Sequence, residues 1–229
     1  MNDVLQKIQG GLIVSCQALE DEPLHGPMLM GAMAFAAKEG GAVGIRSNGR
    51  RDVAVIKALT GLPVIGIEKH TNPAGGIVIT PTFEAAKRLV DAGADIIAFD
   101  ARSSCPREIP LPEFIGQIKS ELGCIAMADI GNIEEAIAAA KAGADIVAST
   151  FGGIHDESGD TINWDLIRCM THKLRVPVIA EGGIWSPEEA RRALELGVHA
   201  VVVGTAITRP QLITRRFTTM MASARPQDW

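Results

Sequence analysis

Apolar residues in this chain come in short blocks separated by longer stretches in which apolar and polar positions alternate with a helical period. Four blocks, Leu12 to Cys16, Pro63 to Ile67, Cys124 to Ala128 and Pro177 to Ala180, are nearly continuous runs with turn residues around them. That is the pattern of parallel strands buried on both faces. A second set interleaves with them: Gly40-Gly41-Ala42-Val43-Gly44-Ile45, Gly93-Ala94-Asp95-Ile96-Ile97-Ala98, Gly143-Ala144-Asp145-Ile146-Val147-Ala148 and Gly197-Val198-His199-Ala200-Val201-Val202. Each leading glycine follows an amphipathic segment and predicts a helix C-cap, where a left-handed backbone costs glycine little. These glycines recur about every fifty residues, twice the length of a βα unit.

Eight strands alternating with helices, without a linker or a shift in composition, predict a single (β/α)₈ TIM barrel over residues 1–229. Helix starts are legible too. Ser186-Pro187-Glu188-Glu189 has a capping serine, proline at the first helical position and glutamate at the third, and Asn132-Ile133-Glu134-Glu135 follows the same logic. An open doubly wound sheet is disfavoured, because no GxGxxG follows the first strand. The longest loops are expected from His70 to Pro81 and from Ala101 to Pro110.

Composition narrows the possible partners. The net charge of -5, with no basic block, argues against nucleic acid, while a small anionic metabolite needs only a local positive patch. No run is long enough to span a bilayer and Met1 to Gly11 has no signal core, so a cytoplasmic protein without a membrane partner is expected. Cys16, Cys105, Cys124 and Cys169 show neither CxxC nor Cys/His metal spacing, and free thiols with no metal site are expected.

In a barrel the chemistry sits at the C-terminal ends of the strands. Reading just past each strand gives Gln17, Arg46, Lys69, Asp100, Asp129, Ser149 with Thr150, Glu181, and Gly204 with Arg209. Two glycine turns on consecutive strands, Glu181-Gly182-Gly183 and Gly204-Thr205, with Arg209 behind, form a phosphate clamp of the kind the last two strands of such barrels supply. Lys69 ends an apolar strand near Arg46, so burial and a neighbouring cation would turn it into a base; its bland alternative is a surface ion pair with Glu68. Glu181, between a buried strand and the glycine turn, is the second acid/base candidate. Asp100 and Asp129 are weaker, fitted either to sugar hydroxyls or to capping a turn.

These passages together, GLIVSCQAL (Gly11–Leu19), AVGIR (Ala42–Arg46), PVIGIEK (Pro63–Lys69), MADI (Met127–Ile130), AEGG (Ala180–Gly183) and GTAITRP (Gly204–Pro210), resemble the bacterial N-acetylmannosamine-6-phosphate 2-epimerases over nearly the whole chain. The resemblance implies inversion at C2, interconverting N-acetylmannosamine 6-phosphate and N-acetylglucosamine 6-phosphate in sialic acid and amino-sugar catabolism. It makes Lys69 the catalytic acid/base and Glu181 its partner. Gln17, Arg46 and Asp129 would hold the sugar and its N-acetyl group, and Arg209 with the amides of Gly182, Gly183, Gly204 and Thr205 the phosphate. No cofactor is implied. Other expectations remain open: another phosphate-binding barrel epimerase or lyase, or a non-catalytic phosphosugar sensor that would need the clamp without the Lys69 and Glu181 pair. Apolar residues between Leu212 and Met221 suit packing on the barrel or on a second subunit, as in a homodimer.

Overall fold

The computed structural model describes residues 3–72, 75–156 and 159–224. Eight strands run parallel and close on themselves: β1 (Leu12–Cys16), β2 (Gly44–Asn48), β3 (Val64–Ile67), β4 (Ile96–Asp100), β5 (Ile125–Asp129), β6 (Ile146–Ala148), β7 (Val178–Glu181) and β8 (Ala200–Val203). Each pairs with its sequence neighbours, and β8 pairs with β1, from Leu12 against Val201 to Val14 against Val203. The expected (β/α)₈ barrel is the observed one.

Alternation along the strands divides the apolar residues into two cores. Ile13, Ile65, Ile67, Ile96, Ala98, Ile125, Met127, Ile179 and Val202 fill the barrel. Val14, Ile45, Val64, Ile97, Phe99, Ala128, Val201 and Val203 face outward under the helices. Before β1, a short helix (Asp3–Ile8) adds Ile8 to the inner core, with Val4 and Leu5 packed against it. The same alternation sets the next inward layer, at the C-terminal end: Ser15, Arg46, Asp100, Asp129 and Glu181 replace aliphatic residues, and the first four of these are buried. The apolar floor beneath gives these polar side chains a rigid base.

Several local expectations shift. Asp129 and Glu181 are the last residues of β5 and β7 rather than the first beyond them, and Arg46 lies in the middle of β2. Their side chains therefore turn into the barrel. Of the first glycine pair, Gly41 takes the left-handed backbone (φ 95°) while Gly40 stays helical (φ −75°). The segment from His70 to Pro81, whose residues 73 and 74 lie outside the described residues, belongs largely to a β-hairpin: Lys69–Thr71 pairs antiparallel with Ile77–Ile79. A second antiparallel hairpin, Ile154–Asp156 with Gly159–Thr161, follows β6 where no long loop was anticipated. Strands of three residues carry too little alternation to register as a pattern.

The helix caps hold. Ser186 Oγ accepts from the Glu189 amide at 3.2 Å, and the Glu189 carboxylate accepts from the Ser186 amide at 3.0 Å, closing a capping box. Asn132 Oδ1 accepts from the Glu135 amide at 2.9 Å, but the Glu135 carboxylate turns to Gly131 and Ser103 instead of closing a box. Among the described residues no helix is long and apolar enough to cross a membrane.

Past β8 the chain makes one turn of helix (Thr205–Thr208) and then a helix from Pro210 to Ala222 with no buried residue. Every position from Thr214 onward within it is exposed, including Phe217, Met220 and Met221 at 68–74%.

Candidate active site

The top of the barrel opens into a cavity of about 420 Å³ lined by Gln17, Lys69, Glu181, Gly182, Gly183, Gly204, Thr205 and Arg209 together with Ser15, Glu22, Asn48, Thr150 and Thr208. Eight of the ten residues to which the resemblance gives a role thus face one space, as does Thr150. The other two, Arg46 and Asp129, are 1% and 0% exposed and lie beneath it.

Those two form the foundation of the site. Arg46 Nη1 and Nη2 donate to the two Asp129 oxygens at 3.1 and 2.6 Å, a fork that fits a carboxylate. The same Nη1 lies 3.0 Å from Glu181 Oε2. Thr150 Oγ1 joins both carboxylates, 2.6 Å from Asp129 Oδ1 and 3.3 Å from Glu181 Oε2. The backbone of Glu181 is fixed as well, its amide donating to Ser149 Oγ while that hydroxyl donates to the Glu181 carbonyl. One guanidinium thus faces two carboxylates. Burial pushes the Glu181 carboxyl up to about 7; Arg46 opposes that rise and Asp129 reinforces it. Burial works against the charge of Arg46 itself, but Asp129 and Glu181 outweigh it and raise its pKa.

Lys69 comes in from β3 on the first residue of its hairpin. Its amide donates to Asn48 Oδ1 at 2.9 Å, and Ile79 pairs with it across the hairpin. No ion pair or side-chain hydrogen bond of Lys69 occurs among the described residues. The surface pairing with Glu68 is not made: that carboxylate is engaged by Arg88 at 2.5 Å and by His70 at 2.9 Å. Burial lowers the Lys69 pKa and Arg46 adds to the effect, against the pull of Glu181 and Asp129. An ammonium so placed gives up its proton more readily than one in water.

The two glycine turns and Arg209 line the same cavity. Gly182 and Gly183 have φ of 98° and 73°, and a Cβ on Gly183 would lie 2.5 Å from the Thr161 carbonyl carbon, so only glycine fits this turn. Neither amide makes a backbone hydrogen bond among the described residues. Thr205 begins the single-turn helix, and Thr208 Oγ1 ties that turn to the Ser15 carbonyl at 2.8 Å. Arg209 pairs through Nη2 with Glu22, while its Nε is buried without a partner. Gln17 donates from Nε2 to Ser15 Oγ at 2.7 Å and leaves Oε1 buried and unpartnered. Orphaned buried polar atoms at a cavity wall are positions where a ligand completes the hydrogen bonding.

Asp100 is diverted from the cavity. Arg102 takes both its oxygens, at 3.0 and 2.6 Å. Conversely, sequence reasoning passed over Asn48, Ser15, Glu22 and Thr208. Asn48 ends β2 in the same inward phase as Arg46, so alternation was the signal that would have found it. Glu22, in the loop after β1, had no such signal.

The chain matches the family described as "Putative N-acetylmannosamine-6-phosphate epimerase" (NanE) over residues 30–223. Two relatives described as "Putative N-acetylmannosamine-6-phosphate 2-epimerase", from Caldanaerobacter subterraneus subsp. tengcongensis and Clostridioides difficile, are each 48% identical to it. They match over 97% and 93% of this chain and 96% and 97% of their own length. The solved N-acetylmannosamine-6-phosphate 2-epimerase of Clostridium perfringens superposes with a TM-score of 0.89 at 42% identity, covering 96% of both chains. A thiamine phosphate pyrophosphorylase from Pyrococcus furiosus, at 19% identity and a TM-score of 0.62, shares the fold. With a barrel whose mouth joins a half-buried lysine and glutamate to a double-glycine turn, and with these matches along its length, the chain belongs to the N-acetylmannosamine-6-phosphate epimerase family.

Proposed function

We propose that this protein interconverts N-acetylmannosamine 6-phosphate and N-acetylglucosamine 6-phosphate by removing and returning the proton at C2. Membership of the family supports the substrate pair. The observation that carries the chemistry is Lys69, half-buried, without an ion pair among the described residues, and facing the same cavity as Glu181.

In the open-chain sugar C2 lies next to the C1 aldehyde. Neutral Lys69 takes the C2 proton, the electron pair moves into the C1–C2 bond, and the charge developing on O1 is stabilised by positioned donors. Return of a proton to the opposite face of C2 inverts the centre. Glu181, whose carboxyl exchanges its proton near neutral pH, is Lys69's partner in that exchange. Gln17 offers its free Oε1 to the sugar. Arg46 and Asp129, sealed in this geometry, act through Glu181 and Thr150 rather than by reaching the sugar themselves. Arg209 and the amides of Gly182, Gly183, Gly204 and Thr205 hold the phosphate. A phosphosugar sensor would need only this last group. Proton NMR of N-acetylmannosamine 6-phosphate with the protein in deuterated water tests the proposal: the 2-epimer should accumulate with deuterium at C2. Binding of the sugar phosphate without conversion would leave the sensor.

We further infer that the protein is a homodimer. Between the helix Pro187–Glu195 and strands β8 and β1 runs an apolar groove of about 490 Å³, lined by Leu12, Ala190, Leu194, Val201 and Val203, where the eighth barrel helix would pack. The chain's own last helix leaves it open and projects its apolar face outward. A lone helix of this length is marginal in water. The same helix of a second copy matches the groove in kind. Sedimentation should give a dimer, and Phe217→Asp should give a monomer.

A further inference from the structure

Arg102 is the first cation beyond β4, and the proton-transfer chemistry above makes no use of it. Its guanidinium makes three attachments to three different segments. Nε and Nη2 hold the two oxygens of Asp100, at 3.0 and 2.6 Å, on the rigid end of β4. Nη2 also donates at 2.9 Å to the carbonyl of Ile77. Its flat face stacks on the ring of Phe151, 3.6 Å from the centroid. Each attachment leads into the site. Ile77 lines the cavity and belongs to the hairpin strand that pairs with Lys69–Thr71. Phe151 follows Thr150, which bonds Asp129 and Glu181, and packs against the core inside the barrel. Asp100 itself is buried, so its charge fixes the guanidinium strongly. A fork that bonds on its edge and stacks on its face is something arginine can do and lysine cannot.

We propose that Arg102 is a positioning residue: anchored on Asp100, it locks the hairpin that carries Lys69 to the segment that carries Thr150, and so sets the depth of Lys69 opposite Glu181. Without it the hairpin keeps its pairing, the burial of Ile79 in the inner core and the bond of Lys69 to Asn48, but its outer end at Ile77 loses the polar tie to β4 and to the Phe151 segment. Lys69 then moves relative to Glu181 and meets more water. Displacements of about 1 Å cost proton-transfer rate up to about a hundredfold. More solvent also moves the lysine back towards its ordinary pKa. The charged groups facing Lys69 are Arg46, Glu181 and Asp129 from the neighbouring strands, with Glu68 and His70 beside it already engaged with each other and Arg88; none of these contacts Arg102.

This rests on Lys69 being the base, and the experiment separates the two. Kinetics of Arg102→Met, Arg102→Lys and Phe151→Leu are measured against pH, with Lys69→Met as the reference and thermal denaturation of each. Arg102→Met should lose about tenfold in kcat with KM within about twofold. Its limb on the acidic side of the kcat/KM profile should move to higher pH, because the displaced lysine holds its proton more tightly. Arg102→Lys, which keeps the pairing with Asp100 but not the fork, should recover only part of kcat. Phe151→Leu should show the same shift in milder form, and carries the test should Arg102→Met not fold. A folded Arg102→Met with wild-type kcat and an unmoved limb overturns the proposal. So does a loss of kcat that follows the loss of thermal stability while the limb stays in place. If Lys69→Met retains activity, the assignment of the base is what fails.

Discussion

Two groups of residues at the cavity treat charge in opposite ways. Around Glu181 every charge but that of Lys69 has a partner among the described residues: Arg46 is shared between two carboxylates and Thr150 bridges them, with Arg46 and Asp129 buried, Glu181 12% exposed and Thr150 on the cavity wall; only the Arg46 Nε, beneath the cavity, is left over. Around Arg209 groups that line the cavity are held in place but left unfinished, with a guanidinium Nε, a Gln17 oxygen and two glycine amides lacking partners among the described residues. A sealed network tunes protonation, because its geometry cannot relax around a change in charge. An open set binds, because a ligand supplies what is missing. On the proposed function the site divides proton transfer from recognition, on the ends of different strands of one rigid barrel.

The largest effect expected of any substitution is at Lys69. Lys69→Met should lose about 10² to 10⁴-fold in kcat while the sugar phosphate still binds, since the recognition group is untouched. A comparable loss of affinity, measured by calorimetry, would erase the division between the two groups. Next comes the sealed network. Arg46→Met leaves Asp129 and Glu181 buried without their cation, and removing one partner of a buried pair costs about 3–5 kcal/mol. Chemical denaturation of the variant should show a loss of that order, and a loss under about 1 kcal/mol would mean water already shares the network.

In the other group, Arg209→Ala should raise KM for the phosphosugar more than it lowers kcat, because a phosphate contact is made in ground and transition states alike. An unchanged KM would remove Arg209 from the phosphate. Glu181 also makes a prediction about pH. Its folded pKa, about 7, lies above the unfolded value, so the folded state holds this proton more tightly. The stability this provides is fully present below the unfolded value near 4.3 and is lost as pH rises through about 7. Relative to wild type, Glu181→Gln should therefore gain stability between about pH 4 and 7, whatever constant cost the substitution carries. Parallel stability curves for the two proteins would contradict the raised pKa. The smallest effect is that of a chelator. Asp129 and Glu181 both face Arg46, so no free carboxylate pair remains for a metal, and turnover in EDTA should be unchanged. Activity lost in EDTA and restored by a divalent ion would refute this.

The difference between the two groups also explains what could be read from the chain. Glycine turns are local: Gly182 and Gly183 announce their conformation in sequence, and Arg209 follows within a few residues of the next turn. The barrel was legible for the same reason, since apolar strands and helix-ending glycines repeat at short range. The sealed network joins Arg46 to Asp129 across 83 positions. Nothing in the neighbourhood of either residue says that they meet, and only the inward phase of β2 and β5 turns two strand residues into a buried pair. The Lys69 hairpin escaped notice because its strands are three residues long and polar on one side. The last helix has an ordinary amphipathic pattern, and the pattern does not state what covers its apolar face.

The proposed reaction turns on Lys69 removing the C2 proton. The direct measurement is exchange of the C2 hydrogen of N-acetylmannosamine 6-phosphate with deuterated water, followed by NMR in wild type, Lys69→Met and Glu181→Gln. Exchange in Lys69→Met should fall as far as turnover does, since both begin with the same abstraction, whereas Glu181→Gln can retain exchange beyond net epimerisation if Glu181 acts after it. A folded Lys69→Met protein that exchanges C2 at the wild-type rate would contradict this and transfer the base to Glu181.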